Sequence, residues 1–448
     1  MSDHLGIFGR EEGETGELDV HELRAALAAG PTEPDPAAPP PPPLISDEER
    51  AHTARRRHRR WLVFAVIVLL IIVAGLIAGF VLWRNTADEI PDFSGSGDTE
   101  VIVRVQSGDG IGDIATTLTE AGVVASPEAF QNQAALDADV QALRPGYYKV
   151  RQNASAQATA DALVNKENHV GRVRLIPGRQ LADVTAVSTD PSVAPVNVPG
   201  YISEITAAAC VPLNGQQDCF TADELWEVAE TADPAALGVV EWAADGVRAA
   251  PEPRKRLEGT ILPGDFDIPP GSTPEQALKA VVSASAALWN RTDIIADSAA
   301  HGMTPYQSAI IASLIERESI VSDMPKVSRV IYNRLDGPGS RQGTNGLLQI
   351  DATVNFALDR KGVVAVTTDD THVDSPYNTY VNPGLPPGPI NSPGDDAIDA
   401  ALHPATGDWY YYVTVNLRTG ETKFAHTFAE FQQYNAEFDQ YCETSDAC

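Results

Sequence analysis

Two glutamates, Glu316 and Glu318, stand in the stretch "ASLIERES" (312–319), with Ala309, Ile310 and Ile311 before it and Ile320 and Val321 after. A carboxylate among apolar neighbours is costly unless it is bonded or used. Desolvation disfavours its charged form and holds its proton toward neutral pH, which is what a general acid needs. At ~100° per helical residue the two carboxylates fall on different faces. Glu318 lies within the stripe of Ile311, Leu314 and Ile315, whereas Glu316 lies beside Ala309 and Ala312. They are therefore not a pair sharing one substrate bond, and Glu316 is expected to face a polar partner. A buried structural acid, bonded to arginine or backbone, would have the same phase as Glu318.

The elements around this stretch follow from caps and breaks. Thr304, Pro305 and Gln307 form a capping-box pattern, so a helix starts at about 305 and is expected to end near Ser322 and Asp323. A second helix over 324–335 follows, and an amphipathic helix over 274–295 precedes. A Gly- and Pro-rich run then leads to a strand at 408–416. Upstream, "VIVRV" reads as a strand, 111–118 as a helix ending at Gly122, 126–136 as a helix with Ser126 and Pro127 at its start, and "LRPGYYKV" as a turn and strand. This small α+β module resembles a LysM-like domain, a binder of peptidoglycan glycan. The predicted fold class is α+β throughout, with the candidate catalytic glutamate on a buried helix.

The chain has 448 residues, too many for one ordinary domain. Its net charge of -30 argues against nucleic acid as a partner. Residues 62–83 carry no charge, and as a helix at ~1.5 Å per residue they span roughly 33 Å, enough for a bilayer core. Trp61 and Trp83 flank this run, and "RRRHRR" (55–60) precedes it, so the N-terminal side is expected to be cytoplasmic. The predicted protein is single-pass in the cell membrane, with its catalytic domain outside. All four cysteines follow the span. Short-loop disulfides Cys210–Cys219 and Cys442–Cys448 suit an oxidising compartment, although four cysteines allow three pairings. The expected organisation is a disordered acidic, Pro-rich tail (1–54), basic flank and span (55–84), linker (85–98), LysM-like region (99–187), insertion (188–256), catalytic domain (257–435) and C-terminal tail (436–448).

Four segments carry a family resemblance: "IIASLIERESIVSDMPKVSRVIYNRL" (310–335), "LLQIDATVNFAL" (347–358), "SPYNTYVNPGLPPGPINSPGDDAIDAALHP" (375–404) and "YYVTVNLRTGETKFAHTFAEF" (411–431). Together they resemble the endolytic murein transglycosylases, the YceG-like family. The resemblance implies non-hydrolytic cleavage of the MurNAc-β-1,4-GlcNAc bond in nascent glycan strands, leaving 1,6-anhydro-MurNAc ends. One carboxyl suffices for that chemistry, and the family's catalytic glutamate corresponds to Glu318, followed by Ser319. The resemblance further implies that Gln349, Asp351, Tyr377, Asn378 and Thr379 line the sugar cleft and that Glu258 reaches it, with Glu316 and Ser319 in support. It implies peptidoglycan synthases of the elongation or division machinery as partners, and no cofactor. His372, His403 and His426 show no recurring metal-ligand spacing. Two other readings remain: a glycan-binding scaffold without catalysis, and a hydrolase in which Asp351 activates water.

Overall fold

The computed structural model describes residues 61, 63–78, 90–186, 194–217, 219–336, 343–361 and 366–445. The expected cytoplasmic tail, the basic flank and Cys448 lie outside them. The chain forms two units, 1–88 and 89–448. In the first, residues 61 and 63–78 are helical (α1), and their apolar side chains from Trp61 to Ile77 are exposed. Among the described residues no helix is long and apolar enough to cross a membrane. The expected span runs beyond residue 78, where the description of α1 ends.

The second unit has two apolar cores. The smaller is built from β1 (Glu100–Val105), α2 (Ile111–Glu120), α3 (Pro127–Ala134), α4 (Ala138–Gln141), β2 (Gly146–Arg151), α5 (Ala156–Val164) and β3 (His169–Val170). β2 lies between β1 and β3, antiparallel to both. Val103, Ile114, Leu118, Phe130 and Val150 fill the space between strands and helices. The order strand, helices, strand is the one expected, down to Ser126 accepting from the Ala129 N–H with Pro127 behind it. The linker does not extend to 98. Ser126 Oγ donates to the Pro91 carbonyl (2.7 Å) and Asp92 accepts from the Ala156 N–H (2.9 Å), so these residues are tied to the module.

The larger core divides the chain differently from the sequence reading, which assigns 170–187 to the first module and 188–256 to an insertion. β4 (Arg172–Leu175) pairs with β7 (Gly264–Asp267), and β5 (Val184–Ala186) lies between β6 (Val196–Val198) and β8 (Arg360–Lys361). α6 (Tyr201–Ala209), α7 (Ala222–Thr231), α8 (Pro234–Leu237) and α9 (Glu241–Ala249) follow; the Ala-rich stretch is broken at Pro234 and at left-handed Gly238 (φ 83). Val173, Leu181, Ile202 and Leu225 share one core with Leu314 and Ile331. These side chains find cover only in the second domain, so both segments belong to it.

Cys210 and Cys219 are joined by a disulfide. The loop they close turns at Asn214 and Gly215, both with positive φ, the geometry of a tight hairpin. Asn214 accepts from the Glu100 N–H (2.8 Å) and donates to the Glu100 carbonyl (3.1 Å), while its own N–H meets the Glu100 carboxylate (2.8 Å). The closed loop thus grips the first strand of the small module.

The remaining helices surround one of their number. α10 (Pro274–Trp289), α11 (Ile294–Ala300), α12 (Pro305–Glu318), α13 (Met324–Leu335), α14 (Asp351–Ala357) and α15 (Asp395–Leu402) precede a hairpin of β9 (Tyr411–Asn416) and β10 (Glu421–Ala425). The last described helix, α16 (Phe428–Thr444), packs on β9, and the expected tail from 436 is helical to Thr444. α12 touches α9, α11, α13, α14 and α15, and every residue from Ser308 to Ile315 is buried. The wheel reading gave it one apolar stripe. Instead both faces are covered, because Ala309, Ala312 and the buried Ser313 leave room for neighbours: Ser313 Oγ accepts from the Ile390 N–H (3.1 Å) and its carbonyl from Asn391 Nδ2 (2.6 Å).

α12 begins with the expected box: Thr304 Oγ1 accepts from the Gln307 N–H (3.2 Å), and the Gln307 side chain from the Thr304 N–H (2.8 Å). Replacing Thr304 by alanine leaves the Gln307 donor without its cap. Thr304→Ala is expected to cost about 1 kcal/mol, read as a lower urea midpoint at unchanged slope.

Candidate active site

α12 ends at Glu318, not near 322–323. Ser319 is extended (φ -154, ψ 162), and Ile320 follows in an extended conformation before a single turn leads into α13. The helix axis therefore delivers Glu318 as its last residue, where the carbonyl end disfavours negative charge. Glu318 opens onto a cleft of about 580 Å3. Arg317, Arg334, Gln349, Asp351, Asn355 and Tyr380 line it, together with side chains of β9 and α16.

Burial raises the proton affinity of Glu318 above that of an ordinary carboxyl, and the neighbouring charge of Asp351 pushes the same way. Tyr412 Oη opposes this by donating a hydrogen bond to Glu318 Oε2 (2.7 Å), as do the Ala352 N–H and the Arg317 charge. Ala352 stands in the first turn of α14, where backbone N–H groups lack helical partners. The phenol of Tyr412 is itself held protonated, first by burial and then by the glutamate beside it. The net environment shifts the carboxyl toward its protonated form while fixing its direction.

Two networks hold the walls. Arg334, buried on α13, donates through Nε to the Tyr410 carbonyl (2.7 Å) and through Nη1 to the Leu348 carbonyl, joining the strand β9 to the segment before α14. Gln349 sits in the left-handed region (φ 52), pinned by its N–H to the Thr379 carbonyl (3.1 Å). Thr379 Oγ1 accepts from the Ile350 N–H (3.0 Å) and meets Thr353 Oγ1 (2.9 Å). Asp351, next in line, accepts from Tyr380 Oη.

The residues named from sequence separate into two groups. Glu318, Gln349 and Asp351 come together in the cleft. Tyr377, Asn378 and Thr379, expected to line it, are at most 1% exposed. Tyr377 packs edge-on against Phe356, Asn378 bonds the Thr371 and Val373 carbonyls, and Thr379 positions the Gln349 segment. The "PYNTY" loop instead presents Tyr380. Glu258, expected to reach the cleft, is buried elsewhere and accepts from the Leu181 N–H (3.1 Å), bracing the chain between β4 and β5. Glu316 meets a backbone partner, the Gly394 N–H (3.0 Å), and burial raises its proton affinity as well. Ser319 caps α12 with its hydroxyl buried. Cys442 stands on α16, away from the residues that line the cleft.

Tyr380, Tyr412, Arg334 and Asn355 are cleft residues that sequence reasoning missed. A signal existed for two of them. Arg334 is a charge in the last turn of a strongly amphipathic helix, and Tyr412 is a phenol inside a β-strand pattern.

Comparison with known proteins adds to this geometry. A model of the YceG-like family matches residues 103–437. The endolytic murein transglycosylase of Streptococcus pneumoniae serotype 2 (strain D39 / NCTC 7466) is 25% identical over 366 residues, 80% of this chain and 62% of that one. The endolytic murein transglycosylase of Bacillus subtilis (strain 168) is 31% identical over 185 residues, 41% of this chain and 48% of that one. The chain thus spans less than two thirds of the length of either relative. A crystal structure of a yceG-like protein from Listeria monocytogenes, 22% identical, covers 75% of this chain and 98% of its own, with a TM-score of 0.47.

Two expectations follow from the charges. If protonated Glu318 limits turnover, activity falls on the alkaline side as it ionises. Tyr412→Phe removes a bond that favours the ionised form, so the alkaline limb moves to higher pH while kcat drops about tenfold. Asp351→Asn removes a repelling charge and moves the limb to lower pH. A pH–rate profile of the three proteins checks both signs. For Glu258, burial lifts the carboxyl from 4.5 to about 8. Its contribution is full below the unfolded value and is lost as pH rises through the folded one. Glu258→Gln should flatten a stability decline of at most about 1.4 kcal/mol per pH unit between those values, read from urea midpoints.

Proposed function

The chain belongs to the YceG-like family, whose model spans residues 103–437, and from that premise we propose that it is an endolytic murein transglycosylase anchored by one N-terminal transmembrane helix. The observation that carries this reading is the Glu318 carboxyl, shifted toward its protonated form at the end of a fixed helix and opening onto the cleft. Glu318 gives its proton to the glycosidic oxygen between MurNAc and GlcNAc, and the C1–O bond breaks. The MurNAc C6 hydroxyl then closes onto C1 and returns its proton to Glu318. Atoms and charge balance without water, and the products are a 1,6-anhydro-MurNAc end and a free GlcNAc 4-hydroxyl. Asp351 lies near enough for its charge to act on Glu318, and it would stabilise the cationic sugar that forms as the bond breaks.

The relatives from Streptococcus pneumoniae and Bacillus subtilis, both named endolytic murein transglycosylase, support the substrate class. An apolar helix exposed on all sides supports an anchor at α1, since a helix of a soluble domain would cover one face. The arginine cluster at 55–60 supports a cytoplasmic N-terminus, and the Cys210–Cys219 disulfide an outer location for the second unit. The module at 100–170 fits a LysM-like role in holding the glycan, and the activity would end strand elongation beside the peptidoglycan synthases. The presence of Asp351 in the same cleft favours one second reading, a hydrolase in which it directs water.

The test is mass spectrometry of uncrosslinked glycan strands incubated with the full chain in detergent. The wild type is expected to leave 1,6-anhydro-MurNAc ends and Glu318→Gln none. Reducing ends from the wild type would establish the hydrolase instead, and glycan binding without any cut would leave a scaffold.

A further inference from the structure

Part of the cleft lining is aromatic. Tyr411 of β9 lies 5.7 Å from Phe428 and 5.4 Å from Phe431, and the two phenylalanine rings are 5.9 Å apart. All three line the cavity onto which Glu318 opens. Phe428, Phe431 and Asn435 occupy one face of α16, at spacings of three and four residues. Phe428 is 52% exposed, although it begins a helix whose other aromatic side chains have cover. The three rings form one aromatic patch on the cleft lining beside polar side chains, and a contiguous apolar patch rimmed by polar residues marks a binding surface.

The composition of the lining identifies the occupant. The lining offers Gln349, Asp351, Asn355 and Tyr380, which bond hydroxyl and amide groups, and beside them the rings of Tyr411, Phe428 and Phe431. A pyranose has the same division, with hydroxyls and N-acetyl groups around its rim and C–H bonds on its faces. An ion would leave the aromatic lining unused, and an aliphatic ligand would leave the polar lining unpaired. We propose that Tyr411, Phe428 and Phe431 form a sugar-stacking subsite beside the scissile bond, with Phe428 covering the face of one pyranose ring of the glycan strand. This rests on the reading of the cleft as a glycan site and adds the surface that holds the strand in register.

The subsite is tested by binding, apart from cleavage. Full-length chain carrying Glu318→Gln is titrated with uncrosslinked glycan strands by calorimetry, alone and with Phe428→Ala, Phe428→Leu or Phe428→Trp. Phe428 is exposed enough for these changes to leave the fold intact, which circular dichroism verifies. Stacking predicts roughly tenfold weaker binding for Phe428→Ala, little recovery for Phe428→Leu and recovery for Phe428→Trp. In the otherwise wild-type enzyme the same change raises KM by a similar factor, leaves kcat within about twofold and leaves the product ends unchanged. Equal affinities across all variants overturn the subsite even if the wild type cuts glycan. Absence of both binding and cleavage in every variant overturns the glycan reading and the subsite with it.

Discussion

A helix buried from Ser308 to Ile315 cannot shift along or around its axis without disturbing five neighbouring helices. That immobility fixes where its last residue lies. Glu318 needs no loop to carry it, since the core of the larger domain acts as its mount and the Tyr412 hydroxyl orients its carboxyl. The small residues that allow such close packing, Ala309, Ala312 and Ser313, are as much part of the site as the carboxyl. Ser313 joins α12 to the segment entering α15 through its hydroxyl and its carbonyl together.

From this fixed point the cleft is assembled by groups that hydrogen-bond to backbone. Arg334 gathers the Tyr410 and Leu348 carbonyls, and Thr379 gathers the Gln349–Thr353 turn. Neither exposes much of itself to the cleft floor, yet each sets the position of a residue that does. Tyr412 and Asp351 then pull the proton affinity of Glu318 in opposite directions. The site is thus a balance between burial, which holds the proton on, and a few directed donors, which limit how tightly it is held.

Much of this was legible in the sequence where the signal was local. The capping box at Thr304, the caps of α3, the helix α13 and the strand at β9 are each written in a few adjacent residues, and helix phase singled out Glu318. What depended on distant contacts was not legible. Nothing near Tyr377 or Thr379 tells that they face inward and that Tyr380 faces the cleft, because a loop has no period from which to read a face. The segment 188–256 looked like an insertion because its apolar residues find their partners in helices far along the chain. Glu258 carries a motif-like context, yet its partner is the backbone of Leu181, reached only through the fold. The end of α12 was misplaced by about one turn, since apolar Ile320 and Val321 continue the composition of the helix while their backbone leaves it.

Gln349 holds a left-handed backbone that most side chains avoid, two residues before the carboxylate of Asp351. Glycine would adopt that geometry without strain. A chain selected for durability alone would place glycine there. A long amide side chain at such a post is a compromise in which conformational ease is surrendered so that one more donor and acceptor line the cleft.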